Sequence, residues 1–495
     1  MRVKNSIKNM FFGISSQLLS IIMAFITRTI FIYVLGSEYL GIEGLFSNIL
    51  SMLSLANLGL ESAIIFSLYK PLSENNEIEI KGYMTLYQKV YKFVGLFILI
   101  SGLLLTPFLH FFINGEININ ENIILIYLMF LLNSSISYLY IYKQSILIAN
   151  QQNHYISKIH TCFIIISNVL QISILIVLKK YIPVLAIQLI CRIIENIVIS
   201  KIADSKFPYL KDKNIDGYLS KQQKKKLYKD VYSMLLYKIS GTVINSTDNI
   251  IISYFVGVIY VGIYSNYLLL ISTVRTLTGY IFSSLTASVG NLIVSDENEK
   301  KEFIFEEILF ISFWIYGFCS ISFYILFNDF ITLWIGKEYL LNSITVFIII
   351  VNFYTTGMQN AATIYRDTTG LFSIGKYRPI IATILNIGIS IILAPKLGIS
   401  GVLLGTIISR MFVYFWFDPY VIYKNIFLKS SKIYFIKYFT YSYIVAFSGI
   451  ITSTILNVIK TYYKINGFIS SIIVCMIIPN LIFSFYIEKV SILIT

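Results

Sequence analysis

Long apolar runs recur along the chain and are separated by short polar segments. A helix needs about twenty apolar residues to cross the hydrocarbon core of a bilayer. The pattern therefore predicts an all-α integral membrane protein with about fourteen transmembrane helices. These predicted helices lie at residues 11–34, 40–68, 93–113, 122–141, 159–178, 182–204, 232–256, 259–285, 304–327, 343–364, 378–395, 399–420, 437–458 and 466–487.

The short turn after the first predicted helix occurs a second time. It reads GSEYLGI from residue 36 and GVIYVGI from residue 257. Glycine lets two long helices reverse direction without a steric penalty from Cβ. The match therefore indicates an internal repeat, and the residues that recur at a constant offset of 221 positions are Gly36, Tyr39 and Gly41 in the first copy and Gly257, Tyr260 and Gly262 in the second.

This repeat predicts the domain organisation. Each half holds six helices, an even number, so both halves enter the membrane from the same side and the repeat is parallel. Two six-helix bundles related by an axis along the membrane normal would enclose a central cavity. The predicted segments are an N-terminal bundle at 1–204, a basic linker at 205–231, a C-terminal bundle at 232–420 and two further helices within 421–495.

Composition and charge agree with a multi-pass membrane protein. Of the 495 residues, 57% are apolar and only 13% are charged, which excludes an ordinary water-soluble domain. Most of the 39 Lys and Arg residues lie on one side of the predicted helices, and this places both termini in the cytoplasm. The net charge of +14 thus reflects membrane topology, and no nucleic-acid-binding module accompanies it. The N-terminal MRVKNSIKNM lacks a cleavage signal and indicates an uncleaved anchor.

Several kinds of chemistry find no support in the sequence. The four cysteines lie within predicted helices without CxxC spacing, so neither disulfides nor a metal site is predicted. The stretch GLFSIGKY at 370–377 resembles a phosphate-binding loop, but Tyr377 stands where Ser or Thr must hold magnesium. External connections are too short for a catalytic domain. The sequence predicts a protein that is not an enzyme and carries no cofactor.

Ionisable residues inside predicted helices are the candidate functional groups, because they are costly in lipid. One interpretation is structural, in which the cations pair with carboxylates of neighbouring helices; for Glu195 and Arg192, close together on one helix, we favour it. The other interpretation is a basic cavity, because the predicted helices hold five buried cations and only four buried carboxylates. Guanidinium forks match phosphate oxygens, so such a cavity would suit an anionic headgroup. The cations are Arg28, Arg192, Lys238, Arg275 and Arg410, and the carboxylates are Glu43, Glu61, Glu195 and Asp248.

The sequence resembles the polysaccharide transporter family of lipid-linked oligosaccharide flippases, within the multidrug, oligosaccharidyl-lipid and polysaccharide exporter (MOP) superfamily. The resemblance rests on a basic N-terminus, Arg28 late in the first helix, GSEYLGIEGL, LANLGLESAI, STDNIIISYFVGVIYVGIYSNY and PKLGISGVLLGTIISR. It spans nearly the whole chain and implies a MATE-like fold. By position in the helices, the family's basic cavity residues correspond to Arg28, Arg275 and Arg410, with Arg192 and Lys238 as further candidates.

The resemblance implies transport of an undecaprenyl-pyrophosphate-linked oligosaccharide across a bacterial cytoplasmic membrane, for O-antigen, capsule or exopolysaccharide assembly. Its partners would then be that substrate, membrane lipids and other polysaccharide assembly proteins. Coupling to an ion gradient through Asp248 or Glu61 and transport by mass action both stay open. Two other functions also stay open: a multidrug or organic-cation antiporter with the same fold, and a membrane polysaccharide polymerase.

Overall fold

The computed structural model describes residues 2–54, 60–114, 119–212, 217–293, 298–369, 371, 374–375, 377–462 and 467–494. Within these ranges the regular structure is helical, as predicted. The chain packs as two compact units, Met1–Gly262 and Ile263–Thr495. Apolar side chains cover much of the outside of the helices, as in a protein whose solvent is lipid.

Unit 1 contains ten complete helices and the first turn of the eleventh. The tenth is unusually long and extends beyond the apolar part of its sequence. The helices are α1 (Arg2–Leu35), α2 (Ser37–Leu53), α3 (Leu60–Ser73), α4 (Glu77–Leu105), α5 (Leu109–Phe112), α6 (Ile123–Ser137), α7 (Tyr142–Ala149), α8 (Asn153–Leu178), α9 (Tyr181–Lys206), α10 (Lys221–Phe255) and α11 (Val258–Ile293).

Unit 2 contains the rest of α11 and eight further helices, and short π-helical segments precede and follow α17. The further helices are α12 (Asn298–Trp334), α13 (Ser343–Met358), α14 (Asn360–Thr368), α15 (Arg378–Leu397), α16 (Ile399–Arg410), α17 (Phe417–Ile422), α18 (Lys432–Tyr462) and α19 (Phe468–Ile494). The π-helical segments are Met411–Phe415 and Tyr423–Phe427.

Local sequence explains where several helices begin. Asn122 accepts hydrogen bonds from the backbone N–H groups of Ile124 and Leu125, which would otherwise lack partners at the start of α6. Ser220 and Gln223 form a reciprocal capping box at the start of α10. The start of α9 is capped from another loop, because the Glu121 carboxylate accepts from the N–H groups of Tyr181 (2.7 Å) and Ile182 (2.9 Å).

The predicted number of spans is not confirmed. Among the described residues, ten helices are long and apolar enough to cross a membrane, or up to eleven if the bent pair α6 and α7 forms one span. The predicted helix at 343–364 is broken at Gln359 into α13 and α14, and that at 40–68 corresponds to the shorter α2 and α3. The predicted helix at 232–256 lies within α10, which is not among those spans.

The packing boundary also differs from the predicted domain boundaries. In the structure, α10 packs against α2 and α3, so it belongs to unit 1, whereas the sequence-based division assigns residues 232–256 to the second bundle. Compact packing does not test whether two halves of the sequence are related. The division at the basic linker therefore stays a prediction based on the repeat.

Candidate functional site

The predicted basic residues are distributed over both units. Arg28 in α1, Arg192 in α9 and Lys238 in α10 belong to unit 1, whereas Arg275 in α11 and Arg410 in α16 belong to unit 2. The side chain of Lys238 lies outside the described part of the structure. The surroundings of the other four differ.

Arg410 is held by uncharged oxygens of α13. Its Nη1 donates a hydrogen bond to the Asn352 amide oxygen (3.2 Å) and another to the Thr356 hydroxyl. Asn352 and Thr356 are one helical turn apart, and the Thr356 hydroxyl also donates to the backbone carbonyl of Asn352 (2.6 Å). These contacts orient the guanidinium, and both acceptors are neutral oxygens.

Arg275 approaches the same stretch of α13. Its guanidinium carbon lies 5.9 Å from the centre of the buried Phe353 ring, within the range of a cation–π contact. Its Nε is buried and has no hydrogen-bond partner among the described residues. Tyr316 packs on Phe353 at 5.0 Å between ring centres, and its hydroxyl lies 3.1 Å from that of Thr278. An unpaired buried donor is costly, so this position is suited to an incoming acceptor.

Two of the predicted cations in unit 2 therefore reach the same stretch of α13. Arg410 contacts Asn352 and Thr356, and Arg275 lies over Phe353 between them. Chemically, two guanidinium groups beside neutral hydroxyl, amide and aromatic groups can bind an anion with several acceptor oxygens. Nothing in the spacing of Arg275 and Arg410 along the chain indicates that both meet α13.

Arg28 has a carboxylate partner. Its Nη1 lies 3.6 Å from Oε2 of Glu43, and the two side chains are 18% and 36% exposed. Next to it, the Thr27 hydroxyl donates to the Asn168 amide oxygen (2.5 Å) and ties α1 to α8. The structural pairing that the sequence analysis considered is thus present at this residue.

The Arg28 pair gives a first testable prediction. Arg28→Gln would leave the half-buried Glu43 without its cation, so we expect the free energy of unfolding to fall by about 1 kcal/mol. The double variant Arg28→Gln/Glu43→Gln should recover most of that loss, because neither charge remains. Denaturant unfolding of the purified variants measures both effects. A double variant as unstable as Arg28→Gln would contradict a structural role for the pair.

Arg192 also lies near an acid. Its Nη1 is 3.7 Å from Oε2 of Glu195 on the same helix, and Oε1 of Glu195 lies 2.7 Å from Nδ1 of His160 on α8. The structure thus shows the pairing that the sequence analysis favoured for Glu195. Arg192 is about half exposed and contacts Glu195 within α9, whereas the contact of Glu195 with His160 joins α8 to α9.

The two residues predicted for ion coupling belong to unit 1. Asp248 is buried in α10, and Glu61 lies in the first turn of α3 and is half-buried. Glu61 is within electrostatic range of Tyr91, whose buried hydroxyl has no hydrogen-bond partner among the described residues. Across those residues, no three His, Cys, Asp or Glu side chains are arranged to hold a metal ion.

The structure reveals an ionic cluster at Asp418 that the sequence analysis missed. The buried Asp418 accepts hydrogen bonds from Nη1 of Arg366 (3.1 Å) and from Nη1 of Arg378 (2.5 Å). Arg378 also lies over the Phe417 ring, 4.1 Å from its centre, and donates to the Gly375 carbonyl. Asp418 could have been found as an acid inside a predicted apolar helix. Gly375 belongs to the stretch that resembles a phosphate loop, of which Gly370 and Lys376 lie outside the described residues.

A π-helical segment separates Arg410 from Asp418. In Met411–Phe415 each hydrogen bond spans one residue more than in an α-helix, which shifts the phase of the side chains that follow. Arg410 contacts α13 and Asp418 contacts α14, so each of them reaches one half of the broken helix. The Asp418 cluster thereby fixes the helix that carries Arg410.

Comparison with known proteins shows the fold. No protein-family model matches the chain, and no curated protein matches it significantly. Among solved structures, the lipid II flippase MurJ in an inward closed conformation matches with a TM-score of 0.64 at 15% identity, covering 97% of this chain and 99% of that chain.

Two MATE structures also match. An inward-facing multidrug resistance MATE family transporter of the MOP superfamily has a TM-score of 0.62 at 16% identity, covering 80% of this chain and 92% of that chain. A mutant of the Vibrio cholerae MATE transporter VcmN has a TM-score of 0.55 at 13% identity, covering 86% and 99%. At these identities the likeness concerns the fold alone. The chain therefore has the fold shared by the MATE and MurJ membrane transporters of the MOP superfamily.

Proposed function

We propose that this protein is a flippase that moves an undecaprenyl-pyrophosphate-linked oligosaccharide from the cytoplasmic to the outer leaflet of a bacterial cytoplasmic membrane. The product would feed O-antigen, capsule or exopolysaccharide assembly. The observation that carries the proposal is that Arg275 and Arg410 both reach the same stretch of α13, Arg275 over Phe353 and Arg410 on Asn352. Guanidinium groups bind phosphate oxygens in forked pairs, so this arrangement suits a pyrophosphate.

Two further points support a lipid-linked substrate. The MurJ structure, described as a lipid II flippase, matches almost the full length of both chains. Arg28 and Arg192 are retained in the proposed substrate pathway of unit 1, although each also has a structural carboxylate contact. Lys238 stays a candidate on sequence grounds. The cycle would be alternating access, in which the pyrophosphate and sugars pass through the protein and the lipid tail stays in the bilayer.

A multidrug or organic-cation antiporter is the second candidate. The observation in its favour is the fold likeness to the MATE transporter with a TM-score of 0.62. A cation would bind to carboxylates, and Asp248 is a buried acid in unit 1. The basic groups at α13 favour the flippase, because an organic cation would be repelled by Arg275 and Arg410.

Reconstituted vesicles separate the two candidates. We expect purified protein to carry a labelled undecaprenyl-pyrophosphate oligosaccharide to the opposite leaflet, measured as label that becomes accessible to an added glycosidase. Protein-free vesicles are the control. In parallel vesicles, uptake of a fluorescent organic cation is measured with and without a proton or sodium gradient. Cation uptake without lipid translocation would overturn the flippase proposal and favour the antiporter.

The same vesicles test ion coupling. If Asp248 or Glu61 couples transport to an ion gradient, then dissipating the gradient should slow translocation, and Asp248→Asn or Glu61→Gln should remove that dependence. Translocation that is unaffected by the gradient in the wild-type protein would instead indicate transport by mass action. The two carboxylates would then have no coupling role.

The proposed topology gives a second testable prediction. Cysteines introduced at Ser73, Lys225 and Ser431, in a variant without the four native cysteines, should react with a membrane-impermeant maleimide only in inverted vesicles. All three positions lie in or near segments that the basic residues assign to the cytoplasm. Labelling of position 225 in intact cells would contradict cytoplasmic termini and the assignment of the linker.

A further inference from the structure

Three lysines from three different helices gather around one buried histidine in unit 1. They are Lys8 of α1, Lys158 of α8 and Lys206 of α9, and all three are exposed. Each lies within electrostatic range of His154, which is buried. The start of α1, the start of α8 and the end of α9 therefore meet around this lysine triad, on the side that the proposed topology places in the cytoplasm.

Hydrogen bonds to Asn9 of α1 fix the histidine in place. The backbone N–H of His154 donates to the Asn9 amide oxygen (2.8 Å), and His154 Nδ1 lies 3.0 Å from the same oxygen. The Asn9 amide nitrogen donates to the backbone carbonyl of Gln151 (2.9 Å), in the turn before α8. One side chain of α1 thus binds the start of α8 from both sides of that turn, and it brings the lysines of these two helices to the same place.

Aromatic rings position two of the three ammonium groups. Nζ of Lys158 lies 4.4 Å from the centre of the Phe12 ring in α1, and Nζ of Lys206 lies 4.9 Å from the centre of the Tyr155 ring in α8. Both distances are those of cation–π contacts, which join α8 to α1 and α9 to α8. A ring orients an ammonium group without neutralising it, so the N–H donors of these lysines are left for an anion.

Among the described residues, no carboxylate pairs with the lysine triad. The last acid of α9, Asp204, precedes Lys206 by two residues, so the two side chains leave the helix on opposite sides. Oδ2 of Asp204 lies 2.7 Å from Nζ of Lys143 and 2.9 Å from Nζ of Lys211. This acid therefore compensates two other lysines, and the charge of the lysine triad stays positive.

We propose that the lysine triad binds the phosphate headgroup of an anionic membrane lipid. Helix α8 has 26 residues and is about 39 Å long, which exceeds the roughly 30 Å of the hydrocarbon core and brings its ends to the headgroups. Ammonium groups there supply charge and N–H donors to phosphate oxygens. The bound phosphate offsets the repulsion among three cations and links the ends of α1, α8 and α9.

Two kinds of lipid offer this chemistry. One is a phospholipid of the bilayer, such as phosphatidylglycerol, and the other is a polyprenyl lipid with a pyrophosphate group. The inference rests on the proposed function only if the second kind fills the site, which would then be a place where the substrate binds before it enters the protein. The test therefore uses both lipids.

Lipid binding to the purified full-length protein in detergent tests the site. Native mass spectrometry gives the dissociation constants of phosphatidylglycerol and undecaprenyl pyrophosphate in separate titrations, with phosphatidylcholine, which has no net charge, as the reference lipid. We expect Lys158→Gln/Lys206→Gln to raise the dissociation constant of at least one anionic lipid by about tenfold or more, without a change for phosphatidylcholine. Lys158→Arg/Lys206→Arg keeps both charges and should retain binding. The lipid that loses affinity identifies the occupant.

Lys221→Gln/Lys224→Gln is the matched control. It removes the same charge from two exposed lysines of α10 on the same predicted side of the membrane, so it should leave the dissociation constants unchanged. An equal loss of affinity in both Gln double variants would show attraction to surface charge alone and would overturn the site. Unchanged affinity in Lys158→Gln/Lys206→Gln would overturn it as well.

Thermal unfolding provides a second measurement. A lipid that binds only the folded protein raises its unfolding temperature, so the anionic lipid should stabilise the wild-type protein and the control variant but not Lys158→Gln/Lys206→Gln. The transition without lipid shows whether each variant is folded, and Lys8→Gln replaces the double variant if that one does not fold. Equal stabilisation of all folded variants would contradict the site. A wild-type protein that moves no lipid-linked oligosaccharide would defeat the proposed function and leave these binding results unchanged.

Discussion

Arg275→Gln is expected to lower oligosaccharide translocation by at least about tenfold without lowering the amount of folded protein. Arg275 lies over Phe353, and its buried Nε has no hydrogen-bond partner among the described residues. Replacing Arg275 thus removes the guanidinium that we propose to bind phosphate. No carboxylate among the described residues loses an ion-pair partner. Translocation in reconstituted vesicles, divided by the fraction of protein that unfolds cooperatively, measures the effect.

Two variants control for charge and for position. Arg275→Lys keeps the positive charge but loses the forked geometry, so it should restore only part of the activity. Arg410→Gln should show a similar loss of translocation, because Asn352 and Thr356 of α13, the helix that Arg275 also contacts, orient the Arg410 guanidinium. If folded Arg275→Gln and Arg410→Gln both translocate at the wild-type rate, then α13 does not form the substrate site.

Asp418→Asn is expected to lower the free energy of unfolding by about 3–5 kcal/mol, the range typical of breaking a buried ion pair. The carboxylate accepts from both Arg366 and Arg378, and all three side chains are about nine-tenths buried. Its loss would leave two guanidinium groups close together without the acid that they share. Denaturant unfolding of the purified variant measures the change.

Asp367→Asn is the matched control for the cluster. Asp367 lies 3.7 Å from Arg366, but its side chain is 40% exposed, so its removal should cost no more than about 1 kcal/mol. Removing Arg378 together with Asp418 should recover part of the loss, because one of the two uncompensated charges is then gone. An Asp418→Asn protein as stable as Asp367→Asn would show that the cluster does not stabilise unit 2.

Hydrophobic periodicity predicted the fold class because the bilayer imposes one length scale on every span. The apolar runs at 159–178 and 182–204 correspond to α8 and α9 with small shifts at their ends. The rule fails where a helix is broken or extended. A window of span length averages the polar and small residues around Gln359 with the apolar residues before them, so hydropathy does not register the break.

Charge in the membrane indicates candidate positions but not their partners. A sequence identifies Arg28, Arg275 and Arg410 as costly residues in lipid, without distinguishing an ion pair from an open binding group. The structure gives the contacts that the sequence does not: Arg28 lies beside Glu43, whereas Arg275 lies over an aromatic ring. It also adds Asp418, whose two arginine partners are 52 and 40 residues away in the sequence.

The sequence by itself determined the helical class, the presence of many apolar spans though not their number, and the repeated glycine turns, since each follows from local composition or from a pattern within a few residues. Only the tertiary structure decided what those residues meet. It brought Arg275 of α11 and Arg410 of α16 into contact with α13 and joined Asp418 to two arginines. It also set Gly41 and Gly262 against the opposite turn. Contacts between distant segments depend on helix packing and on breaks and π segments that shift helical phase, and no local pattern in the chain specifies them.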